Sequence, residues 1–460
     1  MPDAALTLDA PIGSPIARVA RSALAGAVVA GVTFALSPLG TMAVALCGWM
    51  AWRTSRTLDA SDRVPFWWIV GAAVAARLLV VTGLFVIAAY AGRPVITLVP
   101  DADYLIERAA ILRNAWMATP LGPHQYREIF NPYGASSYVS WLAMLDAAAG
   151  SSPSGLALVS VACHVAGALL LFQPLREAFG SRAARAALAL LLFWPSLFVW
   201  SVSVLKESAQ FLLMSVTLVA ALRIARAPSW AARAGWLGAL AGALAVLWTF
   251  RTGSLAIPAA GLGLAVAAAA LLSRRGLLAI ALAIALVVGW RAQHVMLEQV
   301  RAAANRHYGH VISAGVSYRI LDQRFYSGGP DAIRKMTAAD ASRYLVASAV
   351  MFIVAPLPWS IASASLFSGA AIVPQQLAWY GVVAAACAGV GFGLRRDRWL
   401  TILLAAYAVA GLIIIAPNSG NIGTLVRHRD MIVPFVIALA APACAALAAA
   451  IENLRPERES

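Results

Sequence analysis

Two aspartates one residue apart, Asp101 and Asp103, are the first residues of this sequence that could carry out chemistry. They follow the apolar run 66–91 and precede a segment, ending near Met117, whose apolar residues recur at helical spacing. Such a segment is expected to lie along a membrane surface, which places both carboxylates at a lipid–water boundary. A carboxylate there can take a proton from a hydroxyl, so the pair is a candidate for general-base chemistry. Alternatively, Asp103 caps a helix that begins near Tyr104.

Further charged residues interrupt the apolar pattern on the same predicted side of the membrane: Lys206 with Glu207, Arg251, and the run Arg427, His428 and Arg429. Arginine binds phosphate through two parallel hydrogen bonds and keeps its charge. Acids surrounded by such cations suit a reaction that deprotonates a nucleophile and expels an anionic leaving group. Simpler interpretations are a surface pair or snorkelling side chains for Lys206 and Glu207, and a helix-end anchor for Arg251.

The composition indicates the elements that must position these residues. Of 460 residues, 61% are hydrophobic and 12% charged, and the mean hydropathy is +0.78. A soluble domain of this length could not bury so much apolar surface, so the chain is expected to cross a membrane many times. The net charge of +15 lies in short loops, which favours the orientation of membrane helices over nucleic-acid binding. The four cysteines lie in apolar runs and predict neither a disulfide nor a zinc site.

The hydrophobic runs predict an all-α polytopic membrane protein with about 10–13 transmembrane helices and with juxtamembrane amphipathic helices in the first external loop. The basic loops are predicted to be cytoplasmic and the two aspartates external. Residues 344–355 are too few to cross and precede two prolines, so we expect a re-entrant or surface-lying element there.

Four regions follow from this pattern. They are an N-terminal tail with a short helical hairpin (1–65), a transmembrane core with an external acidic loop at 92–132 (66–290), an external loop with the re-entrant or interfacial region (291–375), and C-terminal transmembrane helices with a cytoplasmic tail (376–460). The third region contributes Arg324 and Tyr326 as candidate substrate-binding residues.

Four local motifs resemble one family: Asp101-Ala102-Asp103-Tyr104, Asn131-Pro132-Tyr133-Gly134, Phe193-Trp194-Pro195-Ser196-Leu197 with Lys206-Glu207, and Gly420-Asn421-Ile422-Gly423-Thr424 before Arg427-His428-Arg429. Over residues 66–434 the chain is similar to the GT-C superfamily of integral membrane glycosyltransferases, in particular to bacterial members of the glycosyltransferase 39-like group. Enzymes of this superfamily use polyprenyl-phosphate-linked sugars as donors.

The resemblance implies an inverting transfer to a lipid or glycan acceptor on the extracytoplasmic face of a bacterial cytoplasmic (inner) membrane. One of Asp101 and Asp103 would deprotonate the acceptor hydroxyl. The implied substrate-binding set is Arg251, Arg427 and Arg429 for the phosphate and Lys206 and Glu207 for donor or acceptor. Arg324, Tyr326 and His428 are further candidate substrate-binding residues. No cofactor is certain, and a divalent metal at the acidic motif is possible.

Two other functions remain compatible with the sequence. An O-antigen polymerase or ligase would depend on the external arginines more than on the acids. A transporter or flippase for lipid-linked sugars would carry buried charges near the middle of the bilayer, in broken helices.

Overall fold

The computed structural model describes residues 15–129, 136–150, 152–250, 252–273, 295–313, 317–358 and 366–454, and these residues are predominantly helical. Within these ranges, eight helices are long and apolar enough to cross a membrane. A bent pair of shorter helices makes a ninth crossing if it is counted as one span. The chain is therefore an all-α, multi-pass membrane protein, as predicted. The predicted crossing at 277–290 lies outside the described residues.

The chain begins with three helices joined by short turns: α1 (Pro15–Leu36), α2 (Pro38–Ser55) and α3 (Ala60–Tyr90). The first two form the predicted hairpin, and only Ser37 separates them. The third is a candidate span of 31 residues, which begins six residues before the apolar run predicted from the sequence.

Three shorter helices follow: α4 (Pro100–Trp116), α5 (Pro123–Ile129) and α6 (Ser136–Ala149). The buried face of α4 carries Ala102, Leu105 and Ala109, while Asp101 and Glu107 on its other faces are exposed. The ion pair Arg113–Asp146, at 2.9 Å, joins α4 to α6. This is the amphipathic element expected after the first long span, and it presents the two acids.

The centre of the bundle is formed by α7 (Pro153–Phe179), α8 (Ser181–Phe193), α9 (Pro195–Val202) and α10 (Lys206–Arg226). Helix α7 is the most enclosed span, because α2, α3, α8 and α10 all pack against it. The predicted single span at 186–202 is instead two helices bent by 57°, since Pro195 has no N–H with which to continue the hydrogen bonding of α8.

The remaining elements are α11 (Trp230–Phe250), α12 (Thr252–Ser273), α13 (295–312), α14 (Gln323–Arg334), α15 (Ala338–Val354), α16 (Leu366–Arg396), α17 (Arg398–Ile415), a 3₁₀ turn (Ala416–Asn418), α18 (Ile422–Arg429) and α19 (Val433–Leu454). Helices α13, α14 and α15 share a small core of their own, around Phe325, Ile333 and Tyr344. Helix α15 contains the segment predicted to be too short to cross, and it packs against the 3₁₀ turn, where the Tyr344 hydroxyl donates to the Pro417 carbonyl.

Ion pairs identify one end of the bundle. Contacts between Asp62 and Arg185, Arg182 and Glu452, Arg223 and Glu177, and Arg226 and Asp397 join the ends of α3, α7, α8, α10, α17 and α19. These residues belong to the loops that the sequence predicts to be cytoplasmic, and we call this the basic end. Helix α10 runs from Lys206 away to Arg226, so Lys206 lies at the opposite end, which we call the site end.

Candidate functional site

Helix α4 presents its two acids from opposite edges. It begins at Pro100, so Asp101 and Asp103 both lie in its first turn and neither caps it, contrary to the capping alternative. Their carboxylates are stabilised there by the positive end of the helix dipole. On a helix of 3.6 residues per turn, side chains two positions apart point about 200° away from each other around the helix axis. Asp101 is exposed over 63% of its side chain, whereas Oδ1 of Asp103 is buried and has no hydrogen-bond partner in the described structure.

Arg427, at the end of α18, connects one of these acids to a third carboxylate. Its Nη1 lies 2.5 Å from Asp101 Oδ2, and its Nε lies 2.5 Å from Glu207 Oε1. Burial disfavours the charged guanidinium, but Glu207 and then Asp101 outweigh this effect and raise the pKa of Arg427 above its ordinary value. Residues 101, 207 and 427, far apart in sequence, therefore form one charged cluster where three helix ends meet.

A cavity of about 250 Å³ opens beside this cluster, and we call it the cationic cavity. Among the described residues that line it, three carry a fixed positive charge, Lys206, Arg306 and Arg427, against the single carboxylate of Glu207. The remaining lining is Gln210, His310, Asn418, Thr424, His428 and Met431. Cations exceed carboxylates, and hydrogen-bonding side chains surround them, so the cavity suits an anion that carries several acceptor oxygens.

An apolar groove of about 450 Å³ continues from the cationic cavity. Arg306, Asn418, His428 and Met431 line both spaces. Beyond them the groove runs between α12, α13 and α17, and one of its walls is Ile413, which is 59% exposed. Together the two spaces can hold a molecule with an anionic head and an apolar chain.

The loop before α18 is held by the small core of α13–α15. His307 Nδ1 lies 2.6 Å from the Ser419 carbonyl oxygen, which can only accept, so Nδ1 carries the proton and Nε2 accepts from the Tyr326 hydroxyl at 3.0 Å. Burial lowers the pKa of His307 to about 4, so the ring is neutral at pH 7. The Tyr318 hydroxyl donates to the same carbonyl, and the Ser419 hydroxyl lies 2.7 Å from His428 Nδ1. This network orients His428 at the cavity.

Asp430, one residue beyond α18, attaches the site to α9. Its carboxylate accepts hydrogen bonds from the Ser196 hydroxyl at 2.8 Å and from the Trp200 indole N–H at 2.5 Å. Burial raises the pKa of Asp430 to about 7, although both hydrogen bonds oppose the shift. Asp430 was not a candidate in the sequence, because a single acid beside three basic residues looks like a surface charge.

The structure groups some of the predicted residues and separates others. Asp101, Lys206, Glu207, Arg427 and His428 come together around the cationic cavity. Arg429 is buried and turned away, since it donates to the Phe352 and Ala355 carbonyls and to the Gln376 side chain.

Two predicted residues hold the α13–α15 core instead of lining the cavity. Arg324 pairs with Asp340, which caps α15 with Thr337, and the Tyr326 hydroxyl also accepts from the backbone N–H groups of Ile320 and Leu321. Arg251 and the motif 131–134 lie outside the described residues.

Two basic residues of the cavity, Arg306 and His310, were missed in the sequence. Arg306 and His310 are four residues apart, so they lie on one face of α13. That spacing was visible, but nothing in the sequence showed that this face meets the 418–428 segment. Arg306 Nε donates to the Asn418 side-chain oxygen at 2.7 Å, and this hydrogen bond joins α13 to the 418–428 segment.

The acidic motif does not form a binding site for a divalent cation in this arrangement. Asp101 and Asp103 project from opposite edges of α4, so their oxygens do not converge. Within the ranges that the structure describes, no group of three or more His, Cys, Asp or Glu side chains is placed to hold a metal ion.

These features define a class, an all-α multi-pass membrane protein with a cation-lined cavity at one end of its bundle. No protein-family model matches the chain, and neither a curated protein nor a solved structure matches it. Function is therefore inferred from the residues and their geometry.

Proposed function

We propose that this chain is a membrane glycosyltransferase that moves a sugar from a polyprenyl-phosphate donor to a lipid or glycan acceptor. The observation that carries the proposal is the meeting of Asp101, Glu207 and Arg427 at a cavity that Lys206 and Arg306 also line. Basic side chains at the surface need no such convergence, whereas binding of a phosphate does.

The apolar groove supports a lipid-linked donor over a soluble one. Because the groove and the cationic cavity share four lining residues, a phosphate in the cavity can continue directly into a hydrocarbon chain. A soluble sugar phosphate or sugar nucleotide would gain nothing from that contact.

The distribution of charge supports an extracytoplasmic location for the site. Arginine-rich loops such as Arg395-Arg396 and Arg223–Arg226 lie at the basic end of the bundle. By the positive-inside rule this end faces the cytoplasm. The acid–cation cluster at the site end then faces away from it, in the cytoplasmic membrane of a bacterium.

The two acids take different roles in the proposed reaction. Asp101 is engaged by Arg427, so it orients the cation that binds the donor phosphate. Asp103 is not engaged by Arg427, whose ion pairs are with Asp101 and Glu207, and we assign it the role of proton acceptor. The acceptor hydroxyl oxygen attacks the anomeric carbon while its proton passes to Asp103. The bond from that carbon to the phosphate oxygen breaks, and the electron pair leaves on polyprenyl phosphate, whose charge Arg427 and Lys206 stabilise.

The test is transfer of radiolabelled sugar from synthetic polyprenyl-phosphate-linked sugars by the purified protein in liposomes. Asp103→Asn is expected to lower kcat by about 10²–10⁴-fold, the usual contribution of a general base. Asp101→Asn is expected to act mainly on the KM for the donor, since it releases Arg427. The control is Glu452→Gln, which removes an exposed ion pair at the basic end and should leave transfer unchanged.

Full activity in both Asp101→Asn and Asp103→Asn would overturn the proposal. An enzyme of the polymerase or ligase type would instead lose activity in Arg427→Ala while both aspartate variants stayed active. Movement of the intact lipid-linked sugar across the bilayer, without release of polyprenyl phosphate, would identify a transporter.

A further inference from the structure

Arg306 differs from the other cations of the cationic cavity in the spaces that it lines. Among the described residues, the cavity has three fixed positive charges, and only that of Arg306 also lines the apolar groove. Lys206 and Arg427 line the cavity but not the groove. A phosphate whose hydrocarbon chain lies in the groove must sit where the two spaces join, so Arg306 is the cation placed to meet it.

We call this junction the neck and define it by the four residues that line both spaces, Arg306, Asn418, His428 and Met431. Arg306 Nε donates to the Asn418 side-chain oxygen at 2.7 Å, and this bond fixes the base of the guanidinium. A guanidinium has five N–H groups, and those on Nη1 and Nη2 make no hydrogen bond within the described structure. They remain able to donate to two oxygen atoms of one phosphate.

The protein matches the charge of Arg427 but not that of Arg306. Arg427 makes ion pairs with Asp101 and Glu207. Arg306 is exposed and makes no ion pair with a carboxylate of the described residues. A phosphate that approaches Arg306 therefore gains an attraction for which no carboxylate competes. The sequence had indicated Arg427 and Arg429 for this role, and Arg429 is buried and turned away.

Helix α13 continues from the neck along the apolar groove. Val300 and Ala303 line the groove and stand six and three residues before Arg306, so the three side chains follow one face of the helix. Residues 413–415 of α17 are isoleucines that line the same groove. The face of α13 thus presents apolar side chains to the groove and a cation to the neck, which complements a lipid with one anionic group at the end of its chain.

We propose that Arg306 binds the phosphate group of a long-chain lipid phosphate at the neck, with Asn418 fixing the guanidinium and the hydrocarbon chain lying between α13 and α17. Binding of this lipid does not depend on any transfer chemistry. Its identity as the carrier of the donor sugar rests on the proposed function, in which Lys206 and Arg427 contact the same phosphate.

Photolabelling of the purified full-length protein in maltoside micelles, which contain no phosphate, tests the proposal. The probes are a sixteen-carbon alkyl phosphate and the corresponding alcohol, each with a diazirine on its chain, and labelled positions are located by mass spectrometry. The alkyl phosphate is expected to label 299–303 and 413–415 at a concentration at least about tenfold below that of the alcohol, because hydrogen bonds between charged groups are the stronger ones. Inorganic phosphate in large excess should not compete, since it gains nothing from the groove.

Two variants test the charge of Arg306. Arg306→Gln removes it, so labelling should require about ten- to hundredfold more alkyl phosphate and an unchanged amount of alcohol. Asn418→Asp keeps the arginine but places a carboxylate where Nε donates, so the protein itself matches the charge and labelling by the alkyl phosphate should again weaken. The control is Arg334→Gln, which removes a positive charge from a side chain of α14 that is 77% exposed and lines neither space.

Equal labelling by the alcohol and the alkyl phosphate would mean that the chain alone binds, and it would overturn the proposal. Full competition by inorganic phosphate would do the same, because the site would then be one for a soluble anion. Wild-type labelling in Arg306→Gln or in Asn418→Asp would remove Arg306 from the site. Arg306 is exposed, so both variants are expected to keep the thermal unfolding of wild type.

The two proposals fail separately. Specific labelling by the alkyl phosphate in a protein without transfer activity would support the neck while removing the proposed function. Sugar transfer by a protein whose labelling does not change in Arg306→Gln would support the proposed function while removing the role of Arg306.

Discussion

The ion pairs of Arg427 allow a quantitative prediction. Glu207 is 10% exposed and Arg427 23% exposed, so this is a largely buried pair, whereas Asp101 is 63% exposed. Removing one partner of a buried pair costs about 3–5 kcal/mol, and an exposed pair contributes about 0–1 kcal/mol. We therefore expect Arg427→Ala to lower the free energy of unfolding by about 3 kcal/mol, nearly all of it through the carboxylate of Glu207 left without its partner.

Double-mutant cycles separate the two contacts. The coupling energy between Arg427→Ala and Glu207→Gln should be about 2 kcal/mol, and that between Arg427→Ala and Asp101→Asn below about 1 kcal/mol. The reference cycle is Arg182 with Glu452, a pair at 2.6 Å whose side chains are 60% and 59% exposed. It should also give less than about 1 kcal/mol.

The assay is unfolding of the purified protein in mixed micelles by titration with sodium dodecyl sulfate, followed by tryptophan fluorescence. Burial is the reason for the expected difference between the two carboxylates. An Arg427–Glu207 coupling no larger than the reference, or an Arg427–Asp101 coupling equal to that of Glu207, would show that the cluster is solvated and would refute this reasoning.

Three further predictions concern packing and pH. In Gly389→Ala the new Cβ would lie 1.8 Å from the Leu439 carbonyl oxygen, so α16 and α19 must separate. The free energy of unfolding should therefore fall by about 3 kcal/mol. The control is Gly391→Ala, which has open space around the new Cβ and should be neutral or slightly stabilising in the same sodium dodecyl sulfate titration. Because burial raises the pKa of Asp430 to about 7, the unfolded chain releases this carboxyl proton from about pH 4, whereas the folded protein keeps it until about pH 7. The difference in unfolding free energy between wild type and Asp430→Asn should therefore become less favourable to wild type between pH 5 and pH 8. A change in the opposite direction would contradict a buried Asp430 with a raised pKa. Because burial lowers the pKa of His307 to about 4, the unfolded chain takes up its proton first as pH falls from about 6.5. Wild type should lose stability over that range faster than His307→Gln, and parallel curves would exclude a neutral His307.

The sequence by itself determined the class of protein and the approximate positions of its helices. Hydrophobic runs long enough to cross a bilayer are local features, and so is the excess of arginine in the loops that the structure gathers at the basic end. The α1–α2 hairpin and a shorter helix after the first long span, α4, were both predicted. The helix begins at Pro100, four residues before the start that the sequence predicts near Tyr104, because proline suits the first turn of a helix.

Only the tertiary structure decided which of the candidate residues meet. Arg427 and Arg429 are two residues apart on α18, as Asp101 and Asp103 are on α4. Of the two arginines Arg427 lines the cationic cavity, and of the two aspartates Asp101 pairs with Arg427. The two members of each pair are the same residue type and lie in the same short stretch of sequence, so neither feature distinguishes them. What distinguishes them is the rotation of each helix about its own axis, and that rotation is set by tertiary packing, of α4 against α5 and α6 and of α18 against α17 and the 3₁₀ turn.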